Sequence, residues 1–205
     1  MLQTRTVEPV TLGLLKDLMS KPYLNQFFLV GGTALALQMG HRFSIDLDLF
    51  TTSDFDQEEL LTSLRNDFEV VVEVISPSIM ITRIENVKVD FVRFRYGLLF
   101  PIQLAEGIRM LDMRDIAPMK LDAVTKRGSK KDFYDIYFLF QQMSLQSILD
   151  LYNEKFQHST LFHVLKSLTY FNDAEEQSDP IVFEKSLDWK SVKETIESEV
   201  KKIYK

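Results

Sequence analysis

The chain has 205 residues, 45% of them hydrophobic and 12% aromatic, which is enough to build a sizeable core in one large domain or two small lobes. It carries no cysteine and three histidines. Disulfides and thiolate metal sites are thereby excluded, and the remaining oxygen ligands suit hard cations such as magnesium. The formal net charge of -6 argues against a broad, sequence-independent grip on nucleic acid and leaves local basic patches for any phosphate-backbone binding.

The first ten residues, "MLQTRTVEPV", lack the apolar core of a signal peptide, and no run approaches the roughly 20 apolar residues of a membrane span. A cytoplasmic protein without a membrane partner is expected. Up to about residue 110 the chain alternates short β-rich runs with two helical patterns. The runs are "FFLV" (27–30), "IDLDLF" (45–50), "FEVVVEVI" (68–75), "IMITRI" (79–84) and "VKVDFVRF" (87–94), and the helical patterns cover residues 33–39 and 56–66.

From residue 112 onward a 3.6-residue periodicity takes over in "KLDAVTKR", "KDFYDIYFLFQQM", "SLQSILDLYNEKF", "TLFHVLKSLTYF" and "WKSVKETIESEVKKIYK". The expected fold class is therefore α+β, with a mixed-sheet lobe over residues 1–110 followed by an all-helical lobe over residues 111–205. Ser144 and Asp188 are predicted N-caps, and "NDAEEQSDP" (172–180) is a predicted flexible loop. Pro118 sets the expected start of its helix close to Ala117.

"FFLV" is apolar throughout, as in a strand covered on both faces, and it runs into Gly31-Gly32 and then "TALALQM". A strand, glycine turn and helix can seat a phosphate on the first helical N–H groups, although many such junctions need glycine for geometry alone. The aspartates narrow the choice. In "IDLDLF", Asp46 and Asp48 would project from one side of a strand, about 7 Å apart along the chain, with Ile45, Leu47 and Leu49 on the other side.

Such close carboxylates repel one another unless a cation or solvent neutralises them. In "VKVDFVRF", Asp90 shares a strand face with Lys88, Val92 and Phe94, while Val87, Val89 and Phe91 face the core. Three carboxylates on adjacent strands, Asp46, Asp48 and Asp90, are the candidate ligands for two magnesium or manganese ions that clamp the oxygens of phosphoryl or nucleotidyl transfer.

"VGG", a thirteen-residue spacer and "DLDL" together resemble the signature of DNA polymerase beta type nucleotidyltransferases, and "VKVDFV" matches the third acid of that superfamily. Within it the chain is most similar to the AbiEii-type nucleotidyltransferases, the toxin components of type IV toxin-antitoxin pairs. That family also carries a Lys, four residues, Thr or Asn, one residue, Arg motif followed by paired aspartates. Here these are Lys120, Thr125 and Arg127 in "KLDAVTKR", and Asp132 and Asp135 in "KDFYD". Many members place serine after the first glycine, where this chain has Gly32.

The resemblance spans about residues 25–140. It implies transfer of a nucleoside monophosphate from a nucleoside triphosphate to an acceptor hydroxyl, an RNA 3' end with tRNA foremost, and a cognate antitoxin as partner. It also implies catalytic roles for Asp46, Asp48, Asp90, Lys120 and Asp135. Nucleotide contacts would come from Gly31, Gly32, Thr33, Arg42, Ser44, Lys120, Arg127 and Asp132. Lys120 and Arg127, seven residues apart, share a helix face from which both cations can meet a triphosphate.

Two rival readings are a protein-modifying nucleotidyltransferase and a nucleotide-binding interaction protein without turnover. "KRGSKK" (126–131) reads either as a solvated turn between helices or as the basic surface that meets RNA. His158 and His163 are five residues apart and do not share a helix face as paired ligands would. The aromatic stripes of "FYDIYFLF" and "TLFHVLKSLTYF" read as core.

Overall fold

The computed structural model describes residues 1–157 and 160–204, so His158 lies outside the described residues. The chain divides into two compact units, one comprising residues 1–40 and 44–112 and the other residues 41–43 and 113–205.

The first unit contains α1 (Pro9–Ser20), β1 (Phe28–Val30), α2 (Gly31–Met39), β2 (Leu47–Thr51), α3 (Gln57–Asp67), β3 (Val70–Ser76), β4 (Ile79–Ile84), β5 (Val87–Arg93), β6 (Gln103–Ala105) and β7 (Ile108–Met110). Its strands form one mixed sheet in the order β3-β4-β5-β2-β1-β7-β6. β2 is antiparallel to β1 and parallel to β5, in the register Val30↔Asp48 and Asp48↔Asp90. The core faces of these central strands are Leu47 and Leu49 on β2, and Val87, Val89 and Phe91 on β5, all buried.

Each helix of this unit ends or begins on a local signal. Asp56 accepts the N–H groups of Glu58 and Glu59 at the start of α3. α2 ends where Gly40 adopts the left-handed conformation, with φ 73°. Helix α1, with Pro9 at its first position and Thr11, Leu14, Leu15, Leu18 and Met19 buried, and the short hairpin β6-β7 were not anticipated from the sequence. Ile45 departs from expectation too. It is exposed, because β2 begins at Leu47 and the alternation of the strand does not reach back to residue 45.

The second unit contains α4 (Met113–Arg127), α5 (Lys130–Phe140), α6 (Leu145–Phe156), α7 (Leu161–Leu168), α8 (Asn172–Glu175) and α9 (Trp189–Ile203). α4 packs against α5, α6 and α7. Ser144 and Asp188 cap α6 and α9 by accepting the N–H groups of Ser147 and Ser191, as predicted. α4 begins at Met113 rather than near Ala117, which leaves Pro118 inside the helix. Burial of Ile116, Ala117, Leu121 and Val124 carries the helix through a residue that cannot donate an i to i-4 bond.

The expected loop at 172–180 instead contains α8, whose Glu175 binds Lys193 Nζ (2.6 Å) and Trp189 Nε1 (3.1 Å). Phe133, Tyr134, Ile136, Phe138 and Leu139 are core, and so are Val164, Leu165 and Leu168, while Phe162 and Tyr170 are exposed. Inside the same unit Lys155 Nζ lies 2.6 Å from Asp115, with both side chains fully buried.

Candidate active site

In the first unit the acids meet the glycine turn. β1 delivers Gly31 at φ +69°, and a Cβ there would overlap the Asp48 carboxylate, so the backbone can pass this close to the acid only as glycine. Register places Asp48 directly beside Asp90 on neighbouring strands, about 4.8 Å apart along the hydrogen-bonding direction. Asp46 precedes β2 by one residue, and its carbonyl accepts the Thr33 hydroxyl, which also lies 2.8 Å from Ser44 Oγ. Thr33 and Ser44 are buried, and the Thr33 hydroxyl ties α2 to the loop that carries Ser44 and Asp46.

A cation is already present. Lys88 Nζ lies 3.0 Å from Asp90 Oδ2. Burial lowers the Lys88 pKa, but the hydrogen bond and charge of Asp90, with Asp46 and Asp48 beyond it, outweigh burial and raise the pKa above its ordinary value. Among the described residues no three Asp, Glu or His side chains converge ready-made on one cation position. Even so, Asp90 Oδ1 is buried without a hydrogen-bond partner there, and Asp48 stands beside Asp90 in the strand register. An orphaned carboxylate oxygen among acids fits a hard divalent ion.

In the second unit the paired aspartates are the acceptors of a buried ion network. Asp135, fully buried, accepts from Arg42 through both Nε (2.6 Å) and Nη2 (3.0 Å), from His41 Nε2 (2.8 Å) and from Lys120 Nζ (2.7 Å). Asp132 accepts from Lys120 (3.0 Å) and from Arg127 Nε (2.8 Å) and Nη2 (3.1 Å).

Burial pushes the Asp135 carboxyl up, yet the charges of Arg42 and Lys120 and the bonds from His41 and Arg42 hold it well below the usual carboxylate range. Asp132 is lowered in the same way by Lys120 and Arg127 against its burial. Lys120 is raised because Asp135 and Asp132 outweigh its desolvation. For His41, burial wins and the pKa falls below the ordinary histidine value.

Lys120 and Arg127 thus converge on Asp132, with Lys120 buried and Arg127 reaching inward from a side chain that is 57% exposed. Thr125 bonds the Asp122 carbonyl of its own helix at 2.7 Å. Lys130 does not belong to an open basic surface. It is buried, lies 5.3 Å from the Trp189 ring centroid, and its Nζ reaches the Glu175 carbonyl at 3.3 Å.

Neither Lys88 nor His41 belongs to a motif of the sequence. The i, i+2 spacing of Lys88 and Asp90 carried the signal for the first. The second pairs with a residue 94 positions away, which no local pattern reveals.

The family model of the AbiEii nucleotidyl transferase toxin of type IV toxin-antitoxin systems matches residues 13–203. The chain belongs to the AbiEii family. It is a nucleotidyltransferase, as the resemblance implied. An uncharacterized protein of Aquifex aeolicus (strain VF5) is 36% identical over 169 residues, covering 80% of this chain and 82% of that protein.

Among solved structures, a putative nucleotidyltransferase from H. pylori superposes with a TM-score of 0.60 at 16% identity, covering 96% of each chain. The MenT4 nucleotidyltransferase toxin of Mycobacterium tuberculosis H37Rv gives 0.56 at 18% identity, covering 91% of this chain and 82% of that one. Both share the α+β fold seen here. No helix among the described residues is long and apolar enough to cross a membrane.

Proposed function

We propose that this AbiEii-family protein transfers a nucleoside monophosphate from a nucleoside triphosphate to the 3' hydroxyl of an RNA, with tRNA the foremost acceptor, and that it acts in the cytoplasm under control of a cognate antitoxin. The observation that carries this reading is the register that sets Asp48 beside Asp90 at the glycine turn, where Gly31 yields space to the Asp48 carboxylate.

Asp46, Asp48 and Asp90 would hold magnesium or manganese, which when bound supplies charge neutralisation for the reacting phosphate. The first N–H groups of α2, at Gly31, Gly32 and Thr33, would seat the triphosphate, since a helix N-terminus after glycine favours anions. The acceptor oxygen forms its bond to the α-phosphorus, the bond to pyrophosphate breaks, and Asp90 receives the hydroxyl proton. Asp132 and Asp135 would fix Lys120, Arg42 and Arg127 in place, with the exposed part of Arg127 able to meet anionic oxygen.

The test incubates the purified protein with each labelled triphosphate, magnesium, and either total RNA or a protein mixture. Label on RNA from one or more triphosphates is the expected result. Label on protein alone would replace this reading with a protein-modifying transferase, and nucleotide binding without any transfer would reduce the protein to a binder.

A further inference from the structure

Beyond the acids, one face of the sheet carries an aromatic row that neither the metal ligands nor the phosphate seat uses. Alternate residues on a strand share a face, so Asp48 and Phe50 on β2 lie together with Asp90 and Val92 on β5. Phe94 extends that series, because its N–H donates to the Thr51 carbonyl at 2.7 Å and continues the ladder one residue past β5. Phe50 and Phe94 have ring centroids 5.7 Å apart, and Phe94 and Tyr96 5.3 Å apart. Phe50 and Phe94 are half-buried, and Tyr96 is 43% exposed.

Direction decides what this row can meet. β1 is antiparallel to β2, with Val30 opposite Asp48 and Phe28 opposite Phe50, so Gly31 leaves the sheet at the acid end. The acids therefore stand between the glycine turn and the aromatic row. In an in-line displacement the pyrophosphate departs on one side of the α-phosphorus and the attacking oxygen arrives on the other. With the triphosphate seated at Gly31 and Gly32, the arriving strand comes from the side of Phe50, Phe94 and Tyr96.

We propose that Phe50, Phe94 and Tyr96 form a stacking platform for the 3'-terminal nucleobase of a single-stranded acceptor. This rests on the reading of the protein as an RNA-directed transferase. Stacking also answers the charge problem. A chain with a net charge of -6 cannot rely on wide phosphate neutralisation, whereas base–aromatic contacts are tolerant of sequence and need no charge. Arg95, exposed between Phe94 and Tyr96 in sequence, adds a local cation for the acceptor backbone.

The experiment compares a short 5'-labelled single-stranded RNA with the same RNA lacking its 3'-terminal base, by fluorescence anisotropy against the intact wild-type chain. Binding of the complete RNA is expected to be about tenfold tighter, the lower part of the range for one stacked base. Tyr96→Ala should shrink that difference severalfold and Tyr96→Trp should keep it, with triphosphate affinity unchanged in both.

Equal binding of the two RNAs by a wild-type protein that still extends RNA would overturn the platform alone. A loss of triphosphate affinity in Tyr96→Ala with unaltered RNA binding would reassign the rings to the donor base and overturn the acceptor assignment. Failure of the wild-type chain to bind or extend RNA would overturn the RNA reading and the platform with it.

Discussion

Gly31 and Asp48 stand so close that only hydrogen fits between the Gly31 backbone and the Asp48 carboxylate. A Cβ at Gly31 would overlap Oδ2 and lie 3.1 Å from Cγ, at a φ of +69° that side chains rarely adopt. Glycine is therefore required twice at one position. Gly31→Ala should lose about 1–3 kcal/mol from backbone strain and more from displacement of the acid. Urea unfolding of the double-mutant cycle with Asp48→Ala separates the two parts, and the penalty should shrink to the strain alone once the carboxylate is gone.

Lys120 is buried between Asp132 and Asp135, so its loss leaves two buried carboxylates short of a cation. Lys120→Met should destabilise the chain by about 3 kcal/mol, the lower end of the range for breaking a buried pair, because Arg42 and Arg127 still neutralise the carboxylates. Denaturant midpoints of the variant and wild type measure it directly.

The same network sets a pH dependence. Asp135 and Asp132 have folded pKa values below the ordinary carboxylate value, so their contribution is complete above the unfolded value of 3.8 and is lost as pH falls toward the depressed folded values. Lys120, raised above 10.5, contributes fully below that value and loses its contribution as pH rises through the folded pKa. Thermal unfolding should hold level near neutrality and decline in acid, and Asp135→Asn should start lower and decline less steeply.

Lys88 Nζ pairs with Asp90, one of the proposed metal ligands, and so would compete with a divalent ion for its charge. Lys88→Met removes a half-exposed ion pair worth about 1 kcal/mol or less. Manganese affinity of the nucleotide-free chain should rise severalfold, read by calorimetry without any turnover assay.

Asp48, Asp90 and their strands were legible in the sequence because a period of two exposes itself over five or six residues, whereas Asp46, which the same alternation put on the strand, precedes β2. Leu47, Leu49, Val89 and Phe91 are buried while Asp48 and Asp90 are only partly so. The caps at Ser144 and Asp188 were legible for the same local reason. β6 and β7, three residues each, are too short to show a period.

α1 did carry a signal, in Pro9 and the apolar spacing of Leu14, Leu15, Leu18 and Met19. The ion network was only half legible. Helical spacing placed Lys120 and Arg127 on one face, but the long-range pairing of Arg42 with Asp135, 93 residues apart, turns cations expected at a triphosphate toward buried carboxylates. Burial of Lys130 under Trp189 was equally invisible to a pattern that read it as part of a basic run.

The most direct measurement is manganese binding and nucleotide transfer on Asp48→Asn, a change that keeps shape and removes one charge beside Asp90. Calorimetry should show manganese affinity reduced by at least tenfold, and transfer from labelled triphosphate to RNA should be lost, while the unfolding midpoint stays at or above that of the wild type because repulsion between neighbouring carboxylates is relieved. Unaltered manganese affinity together with full transfer by Asp48→Asn would contradict the assignment of these acids as the centre of the reaction.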